Sequence, residues 1–133
     1  MESFASIGVL GGVGPYAGLD LVQKIFNNTR AARDQEHLPV TLLSFPGEIA
    51  DRIDFLVLGT GKNPGVAIGR ILIRLVNGGA TVLGIPCNTA HSSSILRPAL
   101  QMLEASGTDV RFVHMIDEVV RFIREELPEL RAV

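Results

Sequence analysis

Four short apolar runs, each followed by a stretch with helical hydrophobic spacing, predict an α/β fold: one three-layer domain with a central four-stranded parallel sheet flanked by helices on both faces. Three observations carry this. The runs are continuously apolar rather than alternating, as in strands buried on both sides. Strand-like and helix-like segments alternate along the chain, the signature of parallel strands joined by right-handed crossovers. The length of 133 residues, 47% of them hydrophobic and 20% charged, suits a single domain with its own core.

The first run, Ser6 to Gly11, ends in glycine and reads as a buried strand. Pro15 follows at a first helical position, and Leu19, Val22, Ile25 and Phe26 recur at helical spacing to about Thr29. The polar stretch Arg30 to His37 leads into a second strand, Val40 to Phe45, closed by Pro46-Gly47. A short helix is expected over Glu48 to Leu58 and a loop over Gly59 to Gly65. Val66, Ile68, Ile71, Leu72, Leu75 and Val76 then form the apolar stripe of a longer helix, stopped by Gly78-Gly79. Ala80 to Pro86 is the third strand. A helix starts in or just after Cys87 to His91 and runs through Ile95, Leu96, Leu100 and Leu103, with Pro98 marking a break between its first turn and its body. Arg111 to Met115 is a fourth short strand, and a helix from about Ile116 to Leu127 ends at Pro128. No repeat or low-complexity segment interrupts this pattern.

Composition removes several functional classes. Lys and Arg number 12 against 14 Asp and Glu, a net charge of −2, so no basic excess exists to neutralise a nucleic-acid backbone. No apolar run approaches the ~20 residues of a membrane span, and Met1 to Ser6 is too short and polar for a signal peptide. A single cysteine forms no internal disulfide, and the default expectation is a cytoplasmic protein.

In an open parallel sheet ligands bind beyond the carboxyl ends of the strands. Three segments therefore converge on one crevice: Gly11 to Pro15, Ser44 to Pro46 with the residues just after it, and Pro86 to His91. Gly12, Gly14 and Ala17 match a Gly-x-Gly-x-x-Ala dinucleotide pattern, but the second strand ends in Ser44-Phe45-Pro46, without the acidic residue that holds a ribose. The same turn's backbone amides suit a carboxylate equally well. Cys87 has two readings. A lone cysteine is usually a small buried apolar side chain. At a strand end before Asn88-Thr89, residues suited to capping a helix, free amides and the helix dipole instead favour a thiolate that serves as base or nucleophile. Acyl transfer would need a histidine beside it, from His37, His91 or His114, and these scattered residues give no metal-ligand spacing. Asp51-Arg52 reads either as an exposed ion pair opening a helix or as an arginine fork aimed at a carboxylate in the crevice. Ser92-Ser93-Ser94 lacks the Gly-x-Ser-x-Gly setting of a nucleophile and reads as a first helical turn.

Ile7-Gly8-Val9-Leu10-Gly11-Gly12-Val13-Gly14-Pro15, Asp34-Gln35-Glu36-His37-Leu38-Pro39, Asp51-Arg52 and Pro86-Cys87-Asn88-Thr89-Ala90-His91, in this order and spacing, resemble the aspartate/glutamate racemase family, specifically its aspartate racemase branch. The match covers nearly the whole chain, and Pro-Cys-Asn-Thr-Ala-His is its most specific string. The resemblance implies a racemase that uses neither cofactor nor metal, built from two similar α/β lobes that each present a cysteine to the substrate α-carbon. It further implies that Cys87 is the first-lobe acid/base, that Asn88 and Thr89 bind the α-carboxylate, that Arg52, preceded by Asp51, holds a second carboxylate, and that Gly12, Val13 and Gly14 line the pocket floor. The expected partner is a small acidic amino acid, aspartate or glutamate, with no nucleic acid and no membrane. Three features depart from the pattern: Val13 stands where methionine is common, Phe45 where a polar residue often stands, and Val133 falls where the second lobe would open, with Cys87 as the only cysteine. Residues 1–133 are thus expected to be an amino-terminal lobe, inactive or incomplete alone, that dimerises or associates with a second lobe. The alternatives are a non-catalytic carboxylate-binding or oligomerisation module and a decarboxylase with Cys87 as proton donor.

Overall fold

Backbone pairing in a computed structural model, which describes residues 5–130, builds one sheet from the four apolar runs. The strands are β1 (Ile7–Gly11), β2 (Val40–Ser44), β3 (Val82–Gly84) and β4 (Arg111–Phe112), all parallel, in the order β2-β1-β3-β4. Between and after them lie α1 (Pro15–Asn27), α2 (Arg52–Leu56), α3 (Gly65–Asn77), α4 (Ser93–Ala105) and α5 (Met115–Glu126). The expectations placed on residues 1–4 and 131–133 fall outside the described residues.

The helices cover both faces, as the apolar runs require. A Cβ on Gly8 would stand 3.1 Å from Leu75 Cβ of α3, whereas one on Gly11 would stand 3.6 Å from the Cα of Gly18 on α1. The two positions are three residues apart in one strand, so they face opposite sides. The core lies on the α3 side, where Ile68, Ile71, Leu72 and Leu75 meet Leu10, Leu83, Ile95 and Ala99. Each fully buried Leu or Ile there stabilises the fold by about 1.5–3 kcal/mol.

Helices α3 and α4 approach so closely that a Cβ on Gly65 would lie 2.3 Å from the Ile95 carbonyl oxygen. The same contact explains Pro98, which sits inside a continuous α4 and does not break it. Proline leaves the carbonyl four residues earlier without its helical donor. The Asn63 side-chain amide donates to that Ser94 carbonyl at 2.9 Å, and its Oδ1 accepts the Gly65 N–H at 2.8 Å. Asn63 thereby closes the start of α3 and mends the gap in α4.

Several elements are shorter than the sequence suggested. The third strand does not run from Ala80 to Pro86: the Ala80 N–H bonds to Leu75 O and closes α3, while the Cys87 N–H turns back on Ile85 O past Pro86, which has no N–H. The fourth strand ends at Phe112 because His114 caps α5, its Nδ1 accepting the Asp117 N–H at 3.2 Å. The helix expected over Glu48 to Leu58 is a 3₁₀ turn, Pro46–Glu48, followed by the single turn and a half of α2. The most amphipathic helix, α5, has no buried residue. With α1 it flanks an apolar groove of about 360 Å³ lined by Leu21, Ile85, Pro86, Val119 and Phe122.

Candidate functional site

Strand order fixes where the crevice lies. The chain leaves β1 toward β2 on one side and later returns to place β3 on the other, so the topological switch point, where ligands bind in open α/β sheets, falls between the carboxyl ends of β1 and β3. The turn Gly12–Gly14 and the segment Pro86–His91 emerge at that point. Gly12 has φ +84°, in the left-handed region that favours glycine, and a Cβ there would stand 3.0 Å from the Phe45 backbone nitrogen. That close approach brings the end of β2 against the β1 turn. Gly12 and Val13 are buried and Gly14 is exposed.

Cys87 is partly buried, and its Sγ lies 3.3 Å from Thr89 Oγ1, within hydrogen-bonding reach. The helix expected to start at Asn88-Thr89 does not: a 3₁₀ turn, Thr89–His91, intervenes, α4 begins at Ser93 with Ser92 in the cap position, and the Asn88 side chain makes no capping bond. The cysteine is therefore served by its own loop rather than by a helix end. Among the described residues the backbone N–H groups of Asn88 and Thr89 donate to no protein acceptor. Cys87 and Asn88 line a cleft of about 370 Å³ with Ala17, Asp20, Lys24 and Met115. Gly12, Val13, Gly14, Asp51, Arg52 and Thr89 do not line that cleft. Asp20 and Lys24, an i,i+4 ion pair on α1, were not legible as site residues from the sequence.

Asp51 and Arg52 form no ion pair among the described residues. The Asp51 carboxylate accepts the N–H groups of Ile53 at 2.8 Å and Asp54 at 3.0 Å, and so caps α2. Those two bonds hold its titration below the usual carboxylate range. Arg52 follows at the first helical position, with its Nε buried and without a hydrogen-bond partner among the described residues. Helix α2 packs against the Thr89–His91 turn. Replacing Asp51 with alanine should fray α2 and lower thermal stability in melts at pH 7, whereas Asp51→Asn should largely keep the cap. The cap's contribution should be complete above the unfolded carboxylate range and be lost as pH falls through the lowered native value.

Phe45 is partly buried and packs against the core from the end of β2. Its ring lies under the Arg74 guanidinium, 4.4 Å from carbon to centroid, and Arg74 pairs with Glu48 at 3.1 Å.

No histidine ring nitrogen bonds the Cys87 Sγ among the described residues, so the geometry offers no thiol–imidazole pair for acyl transfer. His37 packs edge-on against Phe26 at 5.5 Å, and His114 caps α5. His91 is only 7% exposed and uses both ring nitrogens on backbone: Nδ1 lies 2.7 Å from Cys87 O, and Nε2 accepts the Met115 N–H at 3.2 Å. Only the neutral ring with its proton on Nδ1 satisfies both contacts. Burial foremost, and His114 beside it, push its titration below the ordinary imidazole range. Since the native ring binds protons less readily than the unfolded one, stability should be undiminished above about pH 6.5 and decline below it. Urea unfolding at pH 7.5 and pH 5.5 checks this, and His91→Asn should flatten the difference.

No protein-family model matches the chain. Solved structures do. An aspartate racemase from Picrophilus torridus aligns with a TM-score of 0.73 and 28% identity over 92% of this chain and 48% of its own. A candidate Asp/Glu racemase from Yersinia pestis and an aspartate racemase homologue from Pyrococcus horikoshii each align with a TM-score of 0.69 and 18% identity, over 92% of this chain and 50% of theirs. The structural neighbours are thus aspartate/glutamate racemases, and this chain spans about half their length. At 18% identity the latter two establish likeness of fold alone.

Proposed function

We propose that this chain supplies one half of a racemase for an acidic amino acid, aspartate or glutamate, with Cys87 as the acid/base at the α-carbon and no cofactor. The observation that carries the proposal is the position of the chain's one thiol at the switch point, beside two backbone amides without a protein acceptor among the described residues, in a fold like that of an aspartate racemase.

In the proposed reaction the α-carboxylate accepts hydrogen bonds from the Asn88 and Thr89 amides at the switch point, where the Gly12–Val13–Gly14 turn also emerges, outside the lining of the Cys87 cleft itself. Arg52, held at the head of α2 by the Asp51 cap, takes the side-chain carboxylate. Thiolate Cys87 removes the α-proton and becomes a thiol, leaving the electron pair on Cα. Because that proton is far less acidic than a thiol, the fixed amides and arginine must stabilise the developing charge. Proton return to the same face regenerates the starting enantiomer. Inversion requires an acid on the opposite face, and Cys87 is the one cysteine in residues 1–133, so a second α/β lobe closes the crevice. Exposed Tyr16, Leu19, Val119 and Phe122 on α1 and α5 support such an association. Light scattering should register self-association at high concentration, and a clean monomer counts against the dimer. A cytoplasmic location belongs to the same proposal.

Replacing Arg52 with alanine should raise KM for the dicarboxylic amino acid about ten- to a hundredfold, the loss of a charge-assisted hydrogen-bonding pair. Lysine should restore part of it, lacking the bidentate fork. An unchanged KM in Arg52→Ala removes this residue from the site. Steady-state kinetics of α-proton exchange reads both.

A further inference from the structure

The three histidines are unequal, and one is built into the Cys87 loop from behind. His91 sits on the cleft lined by Ser93, Arg97, Gln101, Glu104 and His114, whereas Cys87 and Asn88 open into the cleft beside α1. Its ring spans the gap between the loop and the first N–H of α5. We infer that His91 is a positioning residue that fixes the plane of the Cys87–Asn88 peptide, holding the Cys87 carbonyl on its own side and thereby directing the Asn88 amide to the other. This rests on the reading of Cys87 and Asn88 given above and deepens it.

The inference comes from peptide geometry. A trans peptide unit is planar, with C=O and N–H pointing in opposite directions, so whatever pins one aims the other. His91 Nδ1–H pins the Cys87 oxygen at 2.7 Å. The other half of the same unit, the Asn88 N–H, has no protein acceptor among the described residues. A free loop amide would choose its direction by competing with water, whereas one on a pinned plane is preorganised. The ring cannot turn over without losing a bond, because Nε2 is held by the N–H of Met115, the first residue of α5. His114 stands edge-on at 4.7 Å and Phe112 at 6.0 Å, completing the cage. The charged or titratable groups facing the ring are His114 and Asp117 from the α5 side and Arg97 and Glu104 from α4. Protonation would leave the Nδ1–H bond to Cys87 in place but put an N–H on Nε2 against the Met115 N–H, so the complete bridge holds only with a neutral ring.

Two substitutions separate the halves of the bridge, since an asparagine amide reaches the position of Nδ1 and a glutamine amide that of Nε2. His91→Asn keeps a donor for the Cys87 carbonyl; His91→Gln keeps an acceptor for Met115 and loses the pin. The readout is the pH profile of Cys87 alkylation by iodoacetamide. The rate at pH 7 should fall about three- to tenfold in His91→Gln and stay within about twofold of the parent in His91→Asn. Equal effects in both variants, or none in either, overturn the inference, because a merely structural histidine would not distinguish them. Should either variant fail to fold, ¹⁵N NMR of the unaltered protein decides: a protonated Nδ1 with a bare Nε2 at neutral pH is expected, and the opposite tautomer overturns it. Alpha-proton exchange in the same samples is scored separately. Its absence with the alkylation difference intact removes the racemase reading and leaves the role of His91 standing; a lost difference with exchange intact does the reverse.

Discussion

Cys87→Ser is expected to slow solvent-deuterium entry at Cα of aspartate or glutamate by about 10²- to 10⁴-fold for at least one enantiomer, the range that a positioned acid/base contributes. The hydroxyl keeps the size and polarity of the thiol but gives up a proton far less readily, so binding should change little while exchange collapses. The fold should tolerate the change, because Cys87 lies only partly buried on a loop after β3 and the mutant side chain can still reach Thr89 Oγ1. Circular dichroism unchanged beside lost exchange is the expected pair of results. Exchange at the parent rate in Cys87→Ser takes the thiol out of the mechanism.

The largest loss of stability should come from a position without chemistry. Gly65→Ala places a methyl group 2.3 Å from the Ile95 carbonyl oxygen and 2.8 Å from Pro98 Cγ, both on the helix that closes the core. Neither atom belongs to a flexible chain end, so α3 and α4 must separate. Overpacking of this kind costs about 1–3 kcal/mol or more, and the displaced Asn63 bridge to Ser94 adds to it. A fall in Tm of about 3–10 °C is expected for a domain of this size. Gly84→Ala is the control: no atom lies within 4 Å of its added methyl group among the described residues, and its Tm should stay close to the parent value. Equal melting temperatures for the two variants contradict the packing described between α3 and α4.

What could be read from the sequence depended on how local its cause was. β1 and α1 were legible because Gly11 and Pro15 punctuate the boundary, and α3 because Gly78-Gly79 stops its stripe. The four-stranded parallel sheet followed from alternation alone. Strand order did not, since four apolar runs look alike until they pair, and the switch point between β1 and β3 is visible only in the register. Strand lengths were overread where apolar residues continue past the ladder: Ile85 is buried without being paired, and Met115 opens a helix. Pro98 read as a break because its remedy, Asn63, lies 35 positions away in the chain. At the site, Cys87 was named from its place after a buried strand, whereas Asn88 and Thr89 were read there as helix caps and as carboxylate ligands only through the family resemblance. Asp51 was named as one of a pair with Arg52, but its cap on α2 depends on backbone geometry that a dipeptide does not reveal. His91 stood among three candidate bases, and only its two backbone contacts separate it from the others.

The central claim, that Cys87 moves the α-proton of an acidic amino acid, is tested most directly by ¹H NMR of L- and D-aspartate and of L- and D-glutamate incubated in D₂O with the protein at high concentration. The Cα–H signal of at least one enantiomer should disappear, with the amino acid itself retained and no disappearance in the Cys87→Ser sample. No loss of Cα–H from either amino acid, while it binds in the crevice, would contradict the claim and mark a carboxylate-binding module; loss accompanied by release of carbon dioxide would contradict it in favour of decarboxylation.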